Sequence, residues 1–169
     1  MNLLDQDVFE AVRRGYSDLE IASNEDIVDY FASIDPLSAS GHQNNIKGIL
    51  FEQEYVELLA IQGVEAAMFE ATNHPITDIM VFDSLDGVSE FQLKATDSVS
   101  YVTAAMEADP EVTFVVTSEV AVELGTGIVI DAGIENAALE LAIEDTLFGE
   151  FVNPVSAFSI LRFLIGIPF

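Results

Sequence analysis

With 169 residues, half of them hydrophobic, the chain has material for one domain with a sizeable core. Thirty acids face five bases, a formal charge of -25 that repels phosphate backbones and disfavours generic nucleic-acid binding by the chain alone. The absence of cysteine excludes disulfides, zinc–thiolate centres and cysteine nucleophiles, and two histidines far apart in sequence, His42 and His74, do not predict a multi-histidine cluster.

The opening residues, "MNLLDQDVFEAVRRGYSDLE", carry acids where a signal peptide would carry a basic start and an apolar run. No stretch reaches the roughly 20 apolar residues of a spanning helix, so a cytoplasmic chain without a transmembrane segment is expected. Residues 1–40 read as a helical extension: "LLDQDVFEAVRRGY" and "NEDIVDYFASI" repeat apolar residues at helical spacing, with Asn24 as a cap for the second. "DPLSASGHQNN" then breaks the pattern at Pro36 and Gly41. Residues 41–131 form the predicted α/β core. It starts with a helix over 43–62, apolar on nearly every side and so buried against more than one element, ending before Gly63. Three β-rich runs follow: "VEAAMFEA", "ITDIMVF" and "VSEFQLKAT". Next come a helix, "SVSYVTAAMEAD", capped by Asp97 or Ser98, and two strands, "EVTFVVTSEV" and "GIVIDAG". Residues 132–169 form a C-terminal helical extension: a helix in "ENAALELAIEDTLFGEF", then an apolar tail, "VSAFSILRFLIGIPF", expected to pack on the core, with an oligomer interface, a partner or a membrane surface as alternatives. Short links make the first three strands an antiparallel meander, and the following helix is long enough to cross over to a parallel neighbour. The expected fold is therefore α/β: a mixed central sheet, meander first and parallel strand after, with helices on both faces.

The meander places unusual residues together. In "VSEFQLKAT" alternation puts Val88, Glu90, Gln92 and Lys94 on one face and Ser89, Phe91, Leu93 and Ala95 on the other, better core, face. In "ITDIMVF", Asp78 shares a face with Met80 and Phe82. A three-residue loop, Leu85-Asp86-Gly87, bulged at Gly87, sets Ser84 against Val88, Phe82 against Glu90 and Asp78 against Lys94, with Gln92 diagonal to Asp78. An Asp–Lys cross-strand pair is by itself a salt bridge worth roughly 0.2–1 kcal/mol. A third partner raises the stakes: Glu52, flanked on its helix by Ile49, Val56 and Leu59, approaches the sheet, ahead of its rivals Glu54 and Glu57. Two carboxylates so close need a cation, a proton or Lys94 to offset their repulsion. Glu52, Asp78 and the Gln92 amide oxygen suit Mg²⁺ or Mn²⁺, with Lys94 beside the attacking water or offsetting phosphate charge.

These motifs resemble the PD-(D/E)XK, or restriction-endonuclease-like, nuclease superfamily. "GILFEQEYV" resembles the helix motif with Glu52, "HPITDIMVF" the aspartate motif with Asp78, and "FQLK" the third motif, with Gln92 where an acid is usual. The glutamine form resembles transposon-end nucleases of the TnsA type, and Glu90 on the same face is placed to compensate for the neutral ligand. The resemblance spans about residues 43–130 and implies a metal-dependent endonuclease in which Lys94, Glu52, Asp78 and Gln92 are catalytic. The sparse bases depart from the family's usual DNA-binding surface. That departure keeps two alternatives: an inactive nuclease-fold protein engaging a basic partner, or a nuclease subunit whose DNA-binding surface comes from a separate chain; the partners expected are a basic protein or, in a homo-oligomer, further copies of this chain. His74-Pro75 is read as shaping the strand start, Tyr101 as a packing aromatic, and Arg13-Arg14 as salt-bridge partners.

Overall fold

The computed structural model describes residues 3–69, 76–82 and 87–149. His74-Pro75, the turn residues Ser84, Leu85 and Asp86, and the apolar tail lie outside the described residues.

The elements run α1 (Asp5–Gly15), a 3-10 turn (Ser17–Leu19), α2 (Asn24–Ser33), α3 (Pro36–Ile61), β1 (Glu65–Met68), β2 (Ile79–Phe82), β3 (Val88–Lys94), α4 (Val99–Ala108), β4 (Thr113–Val116), α5 (Ser118–Leu124), β5 (Ile130–Asp131), α6 (Asn136–Ile143) and a π-helical turn (Glu144–Phe148). The five strands lie side by side in chain order. The β1–β2 and β2–β3 pairs are antiparallel, and β3–β4 and β4–β5 are parallel. This is the mixed sheet that the order of elements predicts.

Strand alternation builds two cores. On one face Ile79, Leu93 and Val115 pack with Val8, Phe9 and Val12 of α1, Ile27 and Phe31 of α2, Ile46, Leu50 and Phe51 of α3, and Leu139 and Ile143 of α6. On the other, Phe114 and Val116 pack with Val102 of α4 and Val120 and Ala121 of α5. The N-terminal helices thus share the larger core with α3, which itself runs across residue 40. Among the described residues no helix is long and apolar enough to cross a membrane.

Several boundaries differ from expectation for identifiable reasons. Pro36 does not break the chain; it opens α3, with Asp35 Oδ1 accepting from the Leu37 N–H at 3.0 Å. Proline suits the first helical position, whose N–H needs no partner. Ser23, not Asn24, caps α2, in reciprocal bonds with Asp26. The run "EVTFVVTSEV" is not one strand: β4 stops at Val116 and Ser118 starts α5. An apolar run hid a helix start, Thr-Ser-Glu, whose Glu119 carboxylate accepts from the N–H groups of Asn136 (2.9 Å) and Ala137 (3.2 Å) and so caps α6. The expected end of α3 is found: Gly63 has φ +79, its N–H reaches Ala60 O, and the Val64 N–H reaches Leu59 O.

Candidate active site

The hairpin register decides which polar residues meet. The observed ladder pairs Phe82 with Val88, Met80 with Glu90 and Ile79 with Phe91. The expected pairing of Phe82 with Glu90, and of Asp78 with Lys94, is displaced by two residues. Hydrophobic alternation could not have found this, because a two-residue slip leaves the same side chains on the core face. Continuing the ladder past Ile79 sets Asp78 level with Gln92 rather than Lys94.

Asp78 then leaves regular pairing. Its N–H donates to Phe91 O at 2.9 Å, and its Oδ2 accepts from the Leu93 N–H at 2.6 Å. The carboxylate occupies a position where a strand carbonyl would otherwise stand. Strand N–H groups point sideways, so the side chain lies along the sheet plane instead of above one face. That orientation lets it meet a helix packed on the opposite side from Gln92 and Lys94.

The helix is α3, and the residue it brings is Glu52. Burial, with the nearby Asp78 charge adding to it and Arg14 opposing it, pushes the Glu52 carboxyl up to about 8. Glu54 is buried too, and desolvation, with the charges of Asp7 and Glu57, pushes it up to about 7; it faces α1 rather than Asp78. Glu57 is exposed. Glu52 is therefore the acid that approaches Asp78, as its apolar neighbours on the helix indicate.

Gln92, the third expected ligand, is level with Asp78 on β3 but shares the sheet face of Lys94, opposite α3. Its Oε1 is buried and has no hydrogen-bond partner among the described residues. Glu90 does not join it: it is exposed, and its Oε2 accepts from Thr77 Oγ1 at 2.7 Å. Lys94 makes no salt bridge; among the described residues the ion pair is Lys47–Glu140. Its ammonium instead lies 5.8 Å from the centroid of the Tyr101 ring. Tyr101 is 57% exposed, so it flanks the lysine instead of filling the core. Among the described residues neither arginine forms the expected salt bridge. Arg13 donates from Nε and Nη2 to Ala22 O, both at 3.1 Å. Arg14 donates to Phe69 O at the end of β1. Its place beside Glu52 had no sequence signal, because it depends on how α1 docks on α3. Gly15 permits that docking: a Cβ there would stand 2.5 Å from Ile49 Cδ1.

Among the described residues no three or more His, Cys, Asp or Glu side chains group to hold a metal. The available donors are two carboxylates and one amide oxygen. All are hard oxygens, the type Mg²⁺ and Mn²⁺ take, and the neighbouring carboxylates of Glu52 and Asp78 fit a cation. Comparison of the chain with protein-family models, curated proteins and solved structures gives no match.

Proposed function

We propose that the chain is a metal-dependent phosphodiester hydrolase of endonuclease type. Glu52, Asp78 and Gln92 would hold Mg²⁺ or Mn²⁺, and Lys94 would stand beside the attacking water. The observation that carries the reading is the pair of Glu52 and Asp78, in which the Asp78 charge adds to burial in raising the proton affinity of Glu52; Gln92 Oε1, buried and without a partner among the described residues, lies on the neighbouring strand. Two neighbouring carboxylates repel one another, and one divalent cation would relieve that repulsion.

The bound ion would supply Lewis-acid charge at the phosphoryl oxygen and acidify water. The protein's part is positioning. The Leu93 N–H fixes the Asp78 carboxylate, and α3 holds Glu52 against it. Lys94, without a carboxylate partner among the described residues and beside an aromatic ring, would offset the negative charge that grows on phosphate during attack.

The charge of -25 favours a particular form of this reading, in which a basic partner chain or a second subunit supplies the DNA-binding surface, in the cytoplasm. The decisive test is calorimetric titration of Mn²⁺ into the wild type and Asp78→Asn, together with DNA cleavage across a salt series for the wild type and Lys94→Ala. Expected are Mn²⁺ binding lost in Asp78→Asn, cleavage that rises with moderate salt or an added basic partner, and no cleavage by folded Lys94→Ala. Salt screens self-repulsion, the Debye length shrinking from about 10 Å at 0.1 M to about 3 Å at 1 M. Absence of Mn²⁺ binding, or cleavage that survives in Lys94→Ala, would overturn the proposal.

A further inference from the structure

Four of the five bases fall among the described residues, and they divide into two kinds. Two are committed to the fold. Lys47 Nζ lies 2.6 Å from Glu140 Oε1, and Arg13 caps the turn before α2 through Ala22 O and Asn24 Oδ1. The other two are not: Lys94 lies beside the Tyr101 ring, and Arg14 lies near Glu52, whose proton affinity it lowers.

Arg14 reaches the site from the last turn of α1. One of its terminal nitrogens donates to Phe69 O, and the Phe69 N–H donates to Asp78 O at 3.4 Å. The guanidinium is thus held by one corner to the strand end that carries Asp78. Its Nε is buried and has no acceptor among the described residues. A buried N–H without an acceptor is uncommon in a folded chain, and the carbonyl that anchors Arg14 does not neutralise it. A planar fork with a donor to spare matches the oxygens of a phosphate.

We propose that Arg14 is a phosphate-binding residue of this site, donating to a non-bridging oxygen of the phosphodiester while Lys94 stands on the β3 side. The inference rests on the hydrolase reading above and adds its substrate-holding cation. It also accounts for a DNA-acting site within a chain of this charge: the repulsion is met where the scissile group binds, not over a broad basic surface.

The competing role for Arg14 is purely structural, as a counter-charge for Glu52 and an anchor for β1. Binding measurements separate the two. A dinucleoside phosphorothioate is titrated calorimetrically into the full chain, with and without saturating Mn²⁺, for the wild type, Arg14→Gln, Arg14→Lys and Arg13→Gln. Mn²⁺ affinity is measured for each protein. Arg14→Gln keeps a donor for Phe69 O and loses the charge; it is expected to weaken phosphorothioate binding about tenfold or more, the scale of one charge-assisted hydrogen bond, with Mn²⁺ affinity unchanged. Arg14→Lys keeps the charge beside Glu52 and loses the fork, and is expected to fall between; it carries the test if Arg14→Gln does not fold. Arg13→Gln is expected to bind as the wild type does. Wild-type phosphorothioate affinity in both Arg14 variants, or parallel loss of Mn²⁺ and phosphorothioate binding, overturns the inference. Normal Mn²⁺ binding in the first of those cases leaves the hydrolase reading standing. Arg14-dependent phosphorothioate binding in a chain that takes no Mn²⁺ supports the inference and removes the hydrolase reading.

Discussion

Replacing Glu52 by Gln is expected to stabilise the metal-free protein at alkaline pH and to leave it nearly unchanged in acid. Burial and the neighbouring Asp78 charge raise the Glu52 carboxyl from an ordinary 4.5 to about 8, against the opposing pull of Arg14. The unfolded chain releases this proton near pH 4.5, whereas the folded chain keeps it until about pH 8. Between those values the folded state binds more protons, so stability falls as pH rises. At about 1.36 kcal/mol per pH unit, the full cost is on the order of 3–5 kcal/mol above about pH 8. Gln keeps the shape and carries no charge at any pH, so the difference between variant and wild type isolates this one group. Glu54, raised to about 7 by desolvation first, adds the same background slope to both proteins. The assay is urea denaturation in chelator at intervals from about pH 5 to pH 9. Saturating Mg²⁺ should then recover stability in the wild type alone, by about 2.7 kcal/mol at a hundredfold excess over Kd. A Glu52→Gln protein less stable than the wild type at about pH 9 would mean that Glu52 is ionised and satisfied by Arg14. Parallel pH curves would mean that it is solvated. Either result rejects a cation site at this position.

Lys47→Met is expected to be neutral or mildly stabilising, because the buried ammonium gives way to an apolar chain while the more exposed Glu140 is hydrated; Glu140→Gln should cost roughly 1–3 kcal/mol, since it strands a buried charge. Denaturation midpoints of the two variants, moving in different directions, check this. Glu119→Ala removes the carboxylate that accepts from Asn136 and Ala137, and should cost about 1–2 kcal/mol and speed hydrogen exchange at those two amides. Thr117→Val removes a buried hydroxyl that donates to Thr96 O, and should lower stability by about 1 kcal/mol in thermal unfolding without altering metal affinity.

The legible part of this fold was whatever depends on period. Alternation in "VSEFQLKAT" separated Phe91 and Leu93 from Gln92 and Lys94, and the packing of Phe91 and Leu93 in the larger core confirms that division. The apolar surround of α3 announced a helix wedged between layers, and the acid facing inward from it was identifiable as Glu52 from its neighbours. What periodicity cannot see is a shift by a whole period, hence the two-residue difference between the expected and observed hairpin register. Nor can it see a backbone amide claimed by a side chain, which is how Asp78 escapes the ladder. Pro36 illustrates a different ambiguity: the same residue ends one helix or opens another, and Asp35 decides which by capping. Arg14 was visible only as half of a basic pair, because its destination is set by the angle between two helices.

The order of the sheet has a consequence for how the molecule assembles. Each strand pairs with its predecessor in the chain, so no strand is inserted between two that already pair. The sheet can therefore grow at one edge as synthesis proceeds, by short links in the meander and then by the helical crossovers of α4 and α5. The segments that carry Glu52, Asp78, Gln92 and Lys94 come together once β3 has docked, before β4, α5 or α6 exist. The bond from Thr146 Oγ1 to Asp5 Oδ1 at 3.0 Å, between segments far apart in the chain, belongs to the last stage, when the end of the described fold returns to its beginning. A ribosome-bound chain arrested just after β3 would already contain both strands of the hairpin whose register sets Asp78 level with Gln92.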